Sequence, residues 1–347
     1  MNEEPLLSLL ILTYRQVRFV REAVMSALSQ DYVNLEIVIS DDASNDGTIE
    51  IVRDCVRDYR GPHRVVINEN KCNLGIGAHM RKACALCHGD WIITQGGDDI
   101  SLPNRLRVTA DYIQRYPSAS AIGVSAVAID EEGHEIEDSH AVDEPKIYPR
   151  YQGGQLTTSQ NPGDDVSFVM LIGAMAAYRR DVTALSEISE SSIAEDVVFS
   201  WRASLLGDII CVPERCVQQR INKSSITRSG RKSRKRRDRQ ASRRRVERII
   251  YNSFDALINE ARRYPFEVPP QWLAYVRCAR SRSLLLCLPF DYTESTLDRY
   301  ASALDSADLN VWILVKKSSR YGNTLKLLWL LLRLSVRKIF FTRRGQA

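Results

Sequence analysis

The sequence predicts an α/β protein, with a mostly parallel sheet flanked by helices and a smaller helical C-terminal region. Three observations predict it. Strand-like and helix-like segments alternate through the first 130 residues, acidic residues recur where those strands end, and the last hundred residues turn helical and basic. Strands separated by helices of 10–15 residues form βαβ units, and ligands of such sheets bind at the carboxyl ends of the strands.

The elements follow in order. Leu6–Leu12 is an apolar run suited to a buried strand, and Val17, Val20, Val24, Ala27 and Leu28 repeat at helical spacing. Leu35–Ser40 reads as a second strand, and Val52, Cys55, Val56 and Tyr59 mark a second amphipathic helix. Val65–Asn68 is a third strand, Ala78–Cys87 a third helix and Trp91–Thr94 a fourth strand. Apolar runs continue the pattern at Ala121–Ile129 and Phe168–Tyr178. Glu195-Asp196 opens a helical stretch through Trp201 and Leu205, and Gly207–Val212 is another strand. Residues 131–165 are polar and rich in Gly, Pro and acids, which predicts a long loop or lid. Arg248–Arg262 and Gln271–Leu286 are helical candidates.

The chain of 347 residues is 44% hydrophobic and 26% charged, as in ordinary soluble domains. Its net charge of +5 is modest but unevenly spread. From Arg228 to Arg248 twelve Lys/Arg face only Asp238 and Glu247, and after Asp308 nine Lys/Arg stand with no acid. The last third is therefore built to meet an anionic surface. Leu325–Phe341 carries four basic residues in an otherwise apolar run, with Lys326, Arg333 and Arg337 on one stripe. That pattern predicts a helix lying in a membrane surface rather than spanning it. The N-terminal stretch lacks the basic, apolar and small-residue signature of a signal peptide, which points to the cytoplasm. Eight scattered cysteines suit a reducing compartment. Cys84-Ala85-Leu86-Cys87-His88 spells a haem-attachment sequence, but the same residues sit at core spacing on the third helix, and the core reading is preferred.

Three strand ends carry polar residues: Thr13-Tyr14-Arg15, then Asp41, Asp42, Ser44 and Asp46, then Gly97-Asp98-Asp99. Gly-Gly-Asp-Asp alone is good turn chemistry, with Asp99 a possible cap for the helix after Pro103. Recurrence at neighbouring strand ends tips the balance toward a binding site. Asp46 reads as a structural acid capping the helix near Thr48.

These residues resemble the family 2 glycosyltransferases, inverting enzymes of the GT-A fold. "SLLILTY", "SALSQDYVNLEIVISDDASNDGT", "NLGIGAHMRKAC", "GDWIITQGGDDISLPNRL" and "IAEDVVFSWRASLLGDIICVPE" stand in the family's order and spacing, over roughly residues 6–226. The resemblance implies a catalytic domain at 1–226; beyond it, composition alone predicts a basic linker or helix at 227–248 and a helical region at 249–347. The resemblance implies that Tyr14 lies against the nucleotide base, that Asp42 reads the base, usually uracil, and that Arg81 belongs to the donor site. Asp98 matches the last carboxylate of the D-x-D motif, which holds Mg²⁺ or Mn²⁺ on the sugar-nucleotide diphosphate, and Asp196 matches the catalytic base. The partners implied are a nucleotide-sugar donor and a glycan or lipid-linked acceptor in surface-polysaccharide synthesis, at the inner face of the membrane.

The sequence departs from the pattern at three places. Gly96 stands where the first D-x-D acid is expected, Arg15 where Asn is common, and Asn222 where a His often follows the Arg. A dinucleotide-binding oxidoreductase is disfavoured, because the first strand ends without a glycine-rich turn and Gly75-x-Gly77 lacks a third glycine. Nucleic-acid binding is disfavoured too, since the basic run has no interleaved aromatics.

Overall fold

The computed structural model describes residues 4–136, 142–151, 157–158, 167–168, 170–184, 194–222, 236–264 and 266–286. The sequence expectation for Leu325–Phe341 lies outside them.

The first half is a regular alternation. Strands β1 (Leu7–Thr13), β2 (Leu35–Asp41), β3 (Arg64–Glu69) and β4 (Trp91–Gly96) are connected through helices α1 (Val20–Leu28), α2 (Thr48–Arg57) and α3 (Ile76–Cys84). The short β5 (Ile100–Ser101), α4 (Arg105–Arg115) and the long β6 (Ala119–Ile129) follow. Next come β7 (Lys146–Tyr148), a small ladder of β8 (Thr157–Thr158) with β9 (Ser167–Phe168), and a 3₁₀ turn at Gly173–Met175. Then β10 (Ala176–Arg179), the single turn α5 (Arg180–Thr183), α6 (Glu195–Leu206) and β11 (Asp208–Arg220) complete the sheet-bearing part. Two long helices, α7 (Arg236–Ala261) and α8 (Pro270–Leu286), end the described chain.

The main sheet has the order β3-β2-β1-β4-β10-β6-β11-β5, with β7 also pairing β11. β1 runs parallel to both β2 and β4, β2 to β3, and β6 to β11. β10 runs against β4 and β6, while β5 and β7 run against β11. Every residue of β2 is buried, as are six of the seven in β1. Covering both faces with helices explains why these strands read as continuous apolar runs rather than alternating ones. Leu7, Leu9, Ile11, Ile37, Ile39 and Ile93 enter one core cluster, while Leu10, Val38 and Ile92 enter the other with Met80 of α3 and Phe199 of α6. Period-2 alternation sends neighbours to opposite faces.

Cys84 and Cys87 are buried in the second cluster as free thiols. Burial pushes both thiols up, Cys87 to about 12. That is core chemistry, as the helical spacing predicts. The apolar run Phe168–Tyr178 is not one strand. Its described part is interrupted by the turn at Gly173, and only its last residues join β10. Gly207–Val212 is only the start of β11, which continues to Arg220. The last thirteen residues of the basic run, Arg236–Arg248, are the first half of α7.

A third cluster joins the C-terminal helices to the sheet-bearing part. Val197, Val198, Trp201 and Leu205 of α6 pack with Phe254, Leu257 and Ile258 of α7 and Trp272 and Val276 of α8. Trp272 is fully buried and meets the Trp201 ring edge-on at 5.6 Å, and its indole N–H donates to Ser204 Oγ at 3.2 Å. Among the described residues no helix is long and apolar enough to cross a membrane. Trp272→Ala should lower stability by about 3–5 kcal/mol, as for other large buried aromatics. A urea melt followed by tryptophan fluorescence and far-UV circular dichroism checks this.

Candidate active site

The site is built where the parallel strands end together. Thr13 pairs with Asp41 and Leu12 with Gly96, so the segments after β1, β2 and β4 emerge on one edge of the sheet. Asp42 N–H donates to Thr13 O (3.0 Å) and Gly97 N–H to Leu12 O (2.9 Å), carrying the ladder one step into the loops.

Asp41 is an organiser of these loops. Its carboxylate accepts Thr13 Oγ1 (2.8 Å), Ser44 N–H (2.7 Å) and Ser44 Oγ (2.7 Å), while Ser44 Oγ accepts Arg15 N–H (2.8 Å). Arg15 and Ala43 take left-handed backbone conformations, with φ of 55° and 59°. Such angles are costly without glycine and persist where the surroundings fix them. Tyr14 is left exposed with the Arg15 guanidinium 5.1 Å from its ring centroid. Asp46 accepts Thr48 N–H (3.1 Å) and Thr48 Oγ1 (2.6 Å), as expected of a structural acid at the start of α2.

Asp42 is buried. It accepts Asn70 Nδ2 (2.8 Å), Leu74 N–H (2.9 Å) and Gly75 N–H (3.0 Å), so it braces the loop that leads into α3. Asn70 in turn accepts Lys82 Nζ at 2.7 Å. Arg81, beside Lys82 on α3, is half-buried, and its carbonyl accepts Ala85 N–H at 3.2 Å.

The two adjacent carboxylates after β4 have different surroundings. Asp99 is buried, and its Oδ1 accepts Arg220 N–H at 2.9 Å. Asp98 keeps partial contact with solvent, and Asn222 Nδ2 donates to its Oδ2 at 2.5 Å. Burial raises both above the ordinary carboxylate range, and for Asp99 the Asp98 charge adds to the rise. Arg220 is the clamp for this turn. Its guanidinium donates to Asp98 O (3.0 Å), Asp130 O (3.1 Å), Glu131 O (3.0 Å) and Glu22 Oε2 (2.6 Å). Buried Arg105 donates to Thr94 O and Ser101 Oγ, both at 2.9 Å, and supports the turn from below. Asp99 does not cap α4. That helix begins after Asn104 without any side-chain cap, because Asp99 is engaged by Arg220.

Gly96 and Gly97 are crowded by neighbouring side chains. A Cβ on Gly96 would fall 2.7 Å from Asp99 Oδ2 and 2.8 Å from Asp98 Oδ1, so these two carboxylates fill the room a first D-x-D acid would use. A Cβ on Gly97 would fall 2.1 Å from Gln16 Oε1, a buried oxygen with no hydrogen-bond partner. Among the described residues no group of three His, Cys, Asp or Glu side chains is gathered to hold a metal ion. Asp98 alone is a partly open, desolvated carboxylate. It suits a hard divalent cation whose remaining ligands are phosphate and water oxygens.

The second acidic pair lies behind a single turn. Thr94 Oγ1 of β4 donates to Gly173 O, and a Cβ on Gly173 would be 3.2 Å from Glu195 Oε1 and 3.9 Å from Asp196 Cβ. Glu195 and Asp196 form the first turn of α6 and keep partial solvent contact. Desolvation raises both carboxyls, and for Glu195 the Asp196 charge raises it further. Asp196 Oδ1 accepts Val197 N–H at 2.8 Å, so one carboxylate oxygen is tied to the first turn of the helix. A desolvated carboxylate of this kind is a stronger base than one in water.

The structure thus brings Asp42, Asp98 and Asp196 to the same end of the sheet, with Tyr14 at its rim. Gln16 and Arg105 were not singled out by the sequence reading, and Arg220 entered it only as the Arg that precedes Asn222. Arg220 lies 122 residues after Asp98, and only the pairing of β11 with β5 brings them together.

Comparison with known proteins agrees with this geometry. The chain is 32% identical to EpsE of Bacillus subtilis over 133 residues, 38% of this chain and 47% of EpsE. It is 30% identical to a chondroitin synthase of Escherichia coli over 155 residues, 45% of this chain and 21% of that protein. The match therefore spans half or less of either relative. The fold is the GT-A fold of S. aureus TarS, solved with UDP-GlcNAc, at a TM-score of 0.56 and 15% identity, covering 88% of this chain and 83% of that one. Residues 8–185, just over half of the chain, match the family described as Glycosyl transferase family 2, and the chain belongs to that family.

Proposed function

We propose that the protein is an inverting glycosyltransferase that moves a sugar from a nucleotide-sugar donor, UDP-linked, to a hydroxyl of a glycan or lipid-linked acceptor in surface-polysaccharide synthesis. The observation that carries this reading is the placement of two desolvated acidic groups, Asp98 and Glu195-Asp196, around the carboxyl end of β4. Support for the donor comes from S. aureus TarS, whose structure holds UDP-GlcNAc. Support for a polysaccharide product comes from the chondroitin synthase relative.

In this reading the nucleotide lies over the ends of β1 and β2. Tyr14 offers an exposed ring for stacking, and Asp42 holds the loop whose backbone shapes the base pocket. Arg81 supplies a positive charge on the donor side. Asp98 would hold Mg²⁺ or Mn²⁺ with the diphosphate, and the cation supplies neutralisation of the leaving group's charge. Asn222 and Arg220 fix the carboxylate that receives it. Asp196 accepts the proton of the acceptor hydroxyl as that oxygen attacks the anomeric carbon opposite the leaving diphosphate. The basic C-terminal third would hold the protein at the inner face of the cell membrane, next to a lipid-linked acceptor.

Asp196→Asn should reduce turnover by roughly 10²–10⁴ while leaving donor affinity within a few-fold. Nucleotide-diphosphate release and isothermal titration with the donor measure the two separately. Asp98→Ala should abolish the Mn²⁺-dependent part of donor binding, seen as loss of the thermal shift given by UDP-GlcNAc plus Mn²⁺. Asp99→Ala should act mainly on stability, by about 1–3 kcal/mol, because Arg220 N–H loses its buried acceptor. A larger loss of donor affinity at Asp99 than at Asp98 would exchange their roles.

The raised carboxyls also fix a pH dependence. The folded state binds the Glu195 proton more tightly than the unfolded chain does, so stability falls as pH rises above the ordinary carboxylate range. Glu195→Gln should flatten that fall, and chemical denaturation at pH 5 and pH 8 would show it.

A further inference from the structure

We infer that the C-terminal helical pair is part of the catalytic unit, and that Ser253 of α7 is the positioning residue that sets the Asp196 turn. This rests on the reading of Asp196 as the base, and it concerns what holds that base in place.

Helix α6 cannot cap itself. Its N-cap residue is Ala194, which has no side-chain acceptor, and no side-chain cap bond is made there. Across the groove, Ser253 Oγ accepts Ala194 N–H at 2.8 Å and donates to Ile249 O at 2.9 Å within its own helix. Ser253 is fully buried, so no water stands ready to replace it. Ala194 O accepts Val198 N–H as the first bond of α6. Ser253 therefore grips the peptide from which the Glu195-Asp196 turn starts. A hydroxyl donating back to a carbonyl in its own helix has its lone pairs turned outward, which suits this grip.

The same helix pair fastens α6 further along. The Arg202 guanidinium, almost fully buried, donates to Glu260 and to Tyr264 Oη (3.1 Å) on one side and to Val182 O (2.6 Å) and Ala184 O (3.0 Å) on the other. Trp201 meets Phe254 edge-on at 5.7 Å. Ser253 and Glu260 on α7 thus engage residues 194 and 202, so the two helices run side by side in the same direction. Their contacts span about 10 Å at 1.5 Å per residue. A shift of α7 along its axis is a shift of the Asp196 turn.

The general rule is that misplacement of a reacting group by about 1 Å can cost roughly 10²-fold in rate. Ser253→Ala should lower kcat by roughly 10- to 100-fold, with the donor KM unchanged within twofold. Ser253→Thr, which keeps the hydroxyl, should recover most of that loss. Asp255→Ala breaks the α7–α8 pair with Arg280 and a contact with Asn259 inside α7, neither of which reaches α6, and serves as the control for general loosening of the helix pair. The full-length chain is assayed by nucleotide-diphosphate release from UDP-GlcNAc or from GDP-mannose. Amide exchange of Val197 and Val198 is followed without any donor. The inference holds if Ser253→Ala lowers kcat alone and speeds exchange at Val197 and Val198, leaving β1 and β4 unchanged. It is overturned if exchange at Val197 and Val198 is unaltered, or if Asp255→Ala reproduces the kinetic loss. Asp196→Asn run in parallel separates the two readings. An inactive Asp196→Asn beside an unimpaired Ser253→Ala removes the positioning role and leaves the base, whereas an active Asp196→Asn removes both.

Discussion

Everything in this site depends on the parallel pairing of β1 between β2 and β4 in one register. Because Thr13 lies opposite Asp41 and Leu12 opposite Gly96, three chain segments reach the sheet edge within a residue of each other. A slip of one residue would turn each apolar strand inside out, and the burial of both faces makes that slip prohibitive. The core thus fixes the position of polar loops that could not fix themselves. The strained backbone at Arg15 and Ala43 is held on that rigid edge by the Asp41–Ser44 bonds.

The site also concentrates negative charge. Asp98 and Asp99 are neighbours, and so are Glu195 and Asp196, and all four are raised by desolvation. The fold offsets this unevenly. Arg220 acts on both carboxylates, Arg105 adds to it at the inner one, Asp99, and Asp98 also takes the neutral amide of Asn222. The less compensated charge is the one nearer the opening, where a bound cation would offset it.

Much of this was legible in the sequence. β1, β2, β3 and β4 are strong apolar runs bounded by polar turns, and each was placed to within about two residues. The acids at the strand ends followed from the rule for ligand sites in parallel sheets. What escaped were residues whose meaning is tertiary. Arg220 reads as one more arginine until β11 is paired with β5, and its thirteen-residue strand, shifted in register near Arg215, hides its own length. Ser253 reads as a small polar residue on an amphipathic helix, because nothing local reveals that Ala194 lies opposite. The run through Phe168–Tyr178 was legible only as apolar, since nothing local reveals the turn at Gly173 that packs against β4.

The crowding around Gly96 bears on how this chain could change over generations. A glycine that merely lacked a carboxylate could regain one through a single codon. Here the two oxygens of the following acids already stand within 3 Å of where the new carbon would go. The reversal is therefore contingent: Asp98 or Asp99 would first have to find another orientation, and Asp99 is held by Arg220 from the far end of the sheet. Room for an acid at position 96 would have to be opened first by a change that frees Asp99 from Arg220.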